Sequence, residues 1–292
     1  MLVSPAQTLA PCSVSGTATI QNQGDVTALS TCSTFSGSLA IATDTTDKIN
    51  IASVRAVTGD LVMENAPNIT SFGADSLQQI GGSFILNNCQ ILSSLTFPDL
   101  TNVGNLKFEA LPNLQQLGFT TSIGQANTLD IQNTFLTTLN GINLQKVSSV
   151  TIVNNPLLQA VNMQVSNISQ SLTIASNGNR LQASFPNLET AQNLTFRDSQ
   201  SVSIPSLANV TGSLGFYENT FDSLNTPNLT LVGGTLAFVS NSELTNISMP
   251  ILKSIGGGFQ VQNNSVLVDL SDSFTSLQSI GGALAFFGNF TR

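Results

Sequence analysis

A repeat of roughly 22 residues constrains this chain more than any other feature. The pattern G-x-L-x-[IFV]-x-x-N recurs in GDLVMEN, GSFILNN, GNLKFEA and NTLDIQN, and later in QSLTIAS, GSLGFYE and GALAFFG. Its first apolar position falls at Ala18, Leu39, Leu61, Phe84, Leu106, Leu129, Val150, Leu172, Leu194, Leu214, Leu236, Phe259 and Leu284. A fixed period of this length means stacked structural units, because one coil cannot bury its apolar edge without neighbours. Alternation in L-x-I sends two side chains inward and their neighbours outward, as a strand requires. The Asn after the strand suits a corner, and Asn22, Asn65, Asn88, Asn133, Asn154 and Asn263 fill that place in one column where a stacked Asn ladder is expected.

The second half of each coil reads L-x-x-L-x-x-P-x-L-x-x-[VI]-G-G. Pro98, Pro186, Pro205, Pro227 and Pro250 share one column, and Pro67, Pro112 and Pro156 another. Gly81–Gly82, Gly233–Gly234, Gly256–Gly257 and Gly281–Gly282 close coils, and we expect them to supply positive φ at a corner. A helix in this half, as in a leucine-rich-repeat horseshoe, is disfavoured by the prolines and by the Ser, Thr and Asn filling. The expectation is therefore an all-β, right-handed β-solenoid, leucine-rich-repeat-like, of about thirteen coils with little helix. One or two helical turns are expected near Asp25 to Cys32. Residues 1–11 read as disordered or a signal remnant, 12–36 as an N-terminal cap, and 37–292 as the repeat domain.

Composition narrows the function classes. Charged residues are 8% of the chain and the net charge is −8. The Lys and Arg are scattered, so no basic face exists to displace counterions from nucleic acid. Apolar runs are too short to span a bilayer, so no direct membrane insertion is expected. Histidine is absent, which removes the commonest general base and zinc ligand; no cofactor or metal is expected. Cys12 and Cys32 are candidates for a disulfide across the cap, with two free thiols as the alternative, and Cys89 reads as a small buried residue.

The frame Cys12, Ile20, Asp25, Leu29, Cys32 and Gly37, followed by G-x-L-x-I coils ending in P-x-L-x-x-[VI]-G-G, resembles the fungal GPI-anchored cell-wall organisation proteins. These include sporulation-specific wall proteins, with repeats similar to receptor L-domains. The resemblance covers nearly the whole chain. It implies a secreted glycoprotein of the cell wall and outer face of the plasma membrane, held by a lipid anchor and needed for wall assembly. A complete signal peptide, a Ser/Thr-rich stalk and a hydrophobic anchoring tail are not found within these residues. We therefore expect a piece of a longer protein whose C-terminal cap and anchor lie beyond Arg292. A monomer is expected, with wall glycans or wall and surface proteins as partners.

Among outward strand positions, Lys107, Glu109, Asp130, Gln132, Arg197 and Tyr217 form a candidate binding face. Lys107 and Asp130 share a column and are expected to pair. Glu109 and Asp130 are the acidic pair that a β-helix polysaccharide lyase or glycosidase would need, and a solvated strand face is the plainer reading. Arg197 and Tyr217 are expected to stack. A receptor ectodomain is the third reading. N-x-[ST] sequons stand at Asn68, Asn167, Asn193, Asn209, Asn228, Asn246, Asn263 and Asn289. With 30 Asn and 67 Ser plus Thr, chance alone gives about seven, so the count does not show secretion. Asn68, Asn167, Asn209, Asn228, Asn246 and Asn289 are the preferred glycan acceptors; Asn193 and Asn263 lie near strands.

Overall fold

The computed structural model describes residues 12–46 and 48–291; the expectation for residues 1–11 lies outside them. By compactness the chain divides into two units, one holding residues up to Ala126 with Asn133–Phe135 and Asn140–Ile142, the other holding the rest. Each is a stack of parallel β-coils, and strand is the dominant element in both.

The first unit contains five rung strands: Ser13–Ile20, Thr34–Ile41, Leu61–Glu64, Gln79–Asn87 and Asn102–Leu111. The column Ala18, Leu39, Leu61, Phe84, Leu106 stays in register, each residue opposite the next. Ile20, Ile41, Met63, Leu86 and Phe108 form the second inward column, two residues along, because side chains on a strand alternate between faces. Short strands Ile49–Asn50, Ser71–Gly73 and Ser94–Thr96 close the coils on the other side. Phe72, Phe84, Phe97 and Phe108 fill the interior, with Phe84 and Phe97 centroids 4.8 Å apart.

The second unit repeats the plan from Thr128–Thr134 to Leu284–Phe287. Leu129, Val150, Leu172, Leu194, Leu214, Leu236, Phe259 and Leu284 stand in register. Phe196, Phe216 and Phe238 stack face to face at 5.7 and 5.1 Å, since identical side chains in successive coils share one column. The thirteen apolar positions read from the sequence are thus thirteen rungs. Strands such as Gln182–Ser184 and Ser201–Ser203 precede the turns that carry Pro186 and Pro205; proline falls where the chain leaves a strand and no ladder N–H is needed.

Helix among the described residues is confined to Gln23–Thr27. Asn22 is its N-cap: its side chain accepts from the Asp25 N–H at 3.3 Å, while Asp25 accepts from the Gln21 N–H at 2.7 Å. Asn22 is therefore extended, with φ −161°, and does not occupy the left-handed corner expected of it.

The corner column is otherwise real. Asn65, Asn88, Asn133, Asn154 and Asn263 have φ between 52° and 57°. Ala110, Ser176, Asp198, Glu218 and Ser240 hold the same conformation without an Asn side chain. The buried ladder, however, lies one residue further along. Asn155, Asn177, Asn219, Asn241 and Asn264 are buried and bond from coil to coil. Asn241 Oδ1 accepts from both the backbone N–H and Nδ2 of Asn219, at 3.1 and 2.9 Å; Asn241 repeats both bonds onto Asn264. Each amide thus satisfies groups that a turn inside the solenoid would otherwise orphan. In the first unit the same place holds Ala66, Cys89 and Leu111.

The glycine pairs work differently from the expectation. None of the four has positive φ. A Cβ on Gly82 would meet the Gly59 carbonyl carbon at 2.9 Å, and one on Gly257 the Gly234 carbonyl carbon at 2.7 Å. A Cβ on Gly256 would run into the Gly233 carbonyl oxygen. These glycines let one coil approach the backbone of the previous one.

Candidate functional site

In the second unit, Arg197 and Tyr217 are register partners on adjacent rungs. Arg197 Cζ lies 5.2 Å from the Tyr217 ring centroid. The outward neighbours Thr195, Gly215 and Ala237 are small, and the Tyr217 ring lies across Gly215, filling the place of its missing side chain. Glu218 follows in the left-handed corner and accepts from Arg197 Nη1. The sequence did not single out Glu218; its signal was its place at the corner, directly after the strand that carries Tyr217. Gln132 Nε2 donates to Asp130 Oδ1 at 2.6 Å along the strand Thr128–Thr134.

In the first unit, Lys107 Nζ lies 3.2 Å from the Glu109 carboxylate. Residues two apart on a strand face the same side, and a lysine stem spans the gap. Lys107 thus pairs along its own strand, and Asp130, expected as its partner, is held by Gln132. The two charged side chains are 43% and 34% exposed, so the pair contributes at most about 1 kcal/mol. The two carboxylates named for glycoside chemistry, Glu109 and Asp130, belong to different units, and each has a partner on its own strand.

Cys12 and Cys32 form a disulfide that encloses the first rung and the helix. Cys89 is a buried free thiol lying 3.4 Å from the Asn87 carbonyl oxygen, and burial raises its pKa above the ordinary 9.0. A protonated, enclosed thiol is a poor nucleophile. Among the described residues no group of three or more Cys, Asp or Glu stands close enough to hold a metal ion, and no helix is long and apolar enough to cross a membrane.

The sequons differ in what their amides do. Asn68 and Asn246 are exposed and make no side-chain hydrogen bond among the described residues. Asn167 donates to Thr190, Asn228 to the Pro205 carbonyl and Asn289 to the Ser265 carbonyl, while Asn209 accepts from Thr230. Asn193 accepts from the Ser213 N–H at 3.0 Å, and Asn263 sits in the left-handed corner.

A parallel β-solenoid with a disulfide across its first coil and a polar, sparsely charged surface defines a secreted repeat protein, since such bonds persist in oxidising compartments. Comparison with known proteins gives the family. The chain is 43% identical over 276 residues to a cell surface GPI-anchored protein of Arthroderma benhamiae, covering 94% of this chain and 70% of that one. It is 40% identical to protein ecm33 of Aspergillus fumigatus, over 84% of this chain and 62% of the relative. It is 32% identical to the cell wall protein ecm33 of Schizosaccharomyces pombe, over 88% and 56%. No family model and no solved structure matches the chain. The chain belongs to the fungal GPI-anchored cell-surface and cell-wall protein family, and its place is extracellular, at the wall and the outer face of the plasma membrane. It spans about half to two thirds of the length of most of these relatives.

Proposed function

We propose that this chain takes part in cell-wall organisation without catalysis, as a scaffold that holds neutral wall glycans or wall proteins along its outward strand faces. The observation that carries this reading is the scarcity of charge on those faces. Lys107 is paired with Glu109 and Arg197 with Glu218. Around them, beside single charges such as Glu64, Asp130 and Lys146, stand mainly hydroxyl and amide groups, which both donate and accept and so suit polyhydroxylated partners. The Tyr217 ring beside Arg197 adds an aromatic face against which the C–H side of a sugar ring can pack. Anchoring of the full-length protein, inferred from the relatives, would keep the scaffold at the wall.

The test is deletion of the gene in its own fungus, read out as wall composition and growth on wall-perturbing dyes. Hypersensitivity with altered wall composition is expected. An unchanged wall with wild-type dye tolerance overturns the reading, as does turnover of a glucan or pectin by the purified protein.

A further inference from the structure

We propose that a groove on the first unit, lined by Arg55, Gln78, Gln79, Asp99 and Asn102, is a binding subsite for a neutral oligosaccharide; this rests on the reading that the protein contacts wall glycans. The groove has a volume of about 400 Å³, within the range of ligand sites. It is built by one corner repeated in three coils. The N–H groups of Gln78 and Gln79 both donate to the Arg55 carbonyl, at 2.8 and 3.2 Å; those of Thr101 and Asn102 both donate to the Gln78 carbonyl, at 3.0 and 3.3 Å. Stacking this corner brings side chains that are over twenty residues apart in sequence into one wall.

The hydroxyls there are already engaged: Thr101 donates to the Gln78 carbonyl and Thr121 to the Pro98 carbonyl. The heads of Arg55, Gln78, Gln79 and Asp99 make no hydrogen bond or ion pair among the described residues. In a chain where charged residues are 8%, one guanidinium and one carboxylate face the same groove without pairing. Their opposite charges offer a charged ligand no net attraction, because an anion drawn to Arg55 would oppose Asp99 and a cation drawn to Asp99 would oppose Arg55. A sugar hydroxyl donates to the carboxylate, accepts from the guanidinium and does both with the amides, so a neutral polyol satisfies all four heads.

The experiment is isothermal titration of the purified chain with laminarihexaose, chitohexaose and mannohexaose, with a polygalacturonate fragment as the anionic probe. Asp99→Asn, Arg55→Ala and Gln78→Ala with Gln79→Ala are compared with Glu243→Gln, an exposed change on the second unit. Saturable binding of a neutral hexasaccharide is expected. Each groove variant should weaken it tenfold or more, and Glu243→Gln should leave it unchanged. Hydrogen exchange on the wild-type chain gives a readout independent of variant folding: ligand should protect residues 78–79 and 99–102. Binding that survives the groove variants and protects other segments overturns the groove while leaving the glycan reading standing. Tighter binding of the anionic probe overturns the neutral class. Absence of binding to all three neutral probes overturns both.

Discussion

Asn241→Leu tests whether the buried amide ladder holds the second unit together. Asn241 is fully buried, and its side chain takes part in four hydrogen bonds. Nδ2 donates to the Phe216 carbonyl at 3.1 Å and to Asn264 Oδ1 at 3.0 Å; Oδ1 accepts from the N–H and Nδ2 of Asn219. Leucine has nearly the same volume and keeps none of these. At about 1 kcal/mol net for each bond, the loss is about 4 kcal/mol, and the stranded Asn219 N–H adds about 1 kcal/mol. Burying the leucine returns about 2 kcal/mol. The expected net destabilisation is about 3 kcal/mol, read from urea unfolding followed by far-UV circular dichroism. Asn88→Gly is the comparison: that side chain is exposed, donates to Asn65 Oδ1 and accepts from Gln90 Nε2, both at 2.7 Å, and glycine tolerates its left-handed corner, so its loss should cost about 1 kcal/mol. If the two variants unfold at the same urea concentration, the ladder is not what binds coil to coil.

Gly256→Ala should destabilise the second unit by about 1–3 kcal/mol, because the added methyl forces coils apart at the Gly233 carbonyl; a lowered midpoint temperature in differential scanning calorimetry measures it. Ala110→Gly should stabilise the first unit by about 0.5–1 kcal/mol in urea titration, since Ala110 holds φ 53°. Replacing Cys12 and Cys32 by Ser should cost about 3 kcal/mol, from a closed loop with sequence separation 20, and hydrogen exchange should rise first in residues 13–41. Burial raises the Cys89 pKa, so the folded state holds that proton more firmly than the unfolded chain. Its contribution is full below the unfolded pKa and is lost as pH rises through the folded value. Stability should therefore fall above about pH 9, and Cys89→Ala should flatten that fall in unfolding curves taken from pH 7 to 10.5.

The rungs were legible because their signal is local. Leu–x–Ile alternation states which side chains go inward, and thirteen copies fix the period and the register. The left-handed corner was legible at Asn65, Asn88 and Asn154, yet not at Ala110 or Glu218, whose conformation is set by the coils stacked on either side. Asn22 misled because a cap and a corner favour the same residue for different reasons. The glycine pairs were found, but their reason was not: a close approach to Gly233 or Gly59 depends on a residue over twenty positions away, which a single coil does not display. Arg55 and Asp99 were missed for the same cause. Neither lies on the L-x-I strand face where binding residues were sought, and only stacking brings the two together.

The low charge of the chain follows from how its coils adhere. Each turn must satisfy polar groups against the next turn, and the side chains that do so are amides and hydroxyls. Asn88 reaches Asn65, Ser149 meets Ser171, Asn167 reaches Thr190 and Asn187 reaches Gln164, with partners 22 or 23 residues apart. A charged side chain in such a column would face a copy of itself one coil, about 5 Å, away, and like charges at that spacing repel. Neutral donors and acceptors stack without that penalty, because one amide both gives and receives. Opposite charges brought together escape that repulsion: Lys107 and Glu109 cancel along one strand, and Arg197 and Glu218 cancel across adjacent coils. Arg55 and Asp99 share one groove without pairing, and a ligand bearing hydroxyl groups would complete the hydrogen bonding of both.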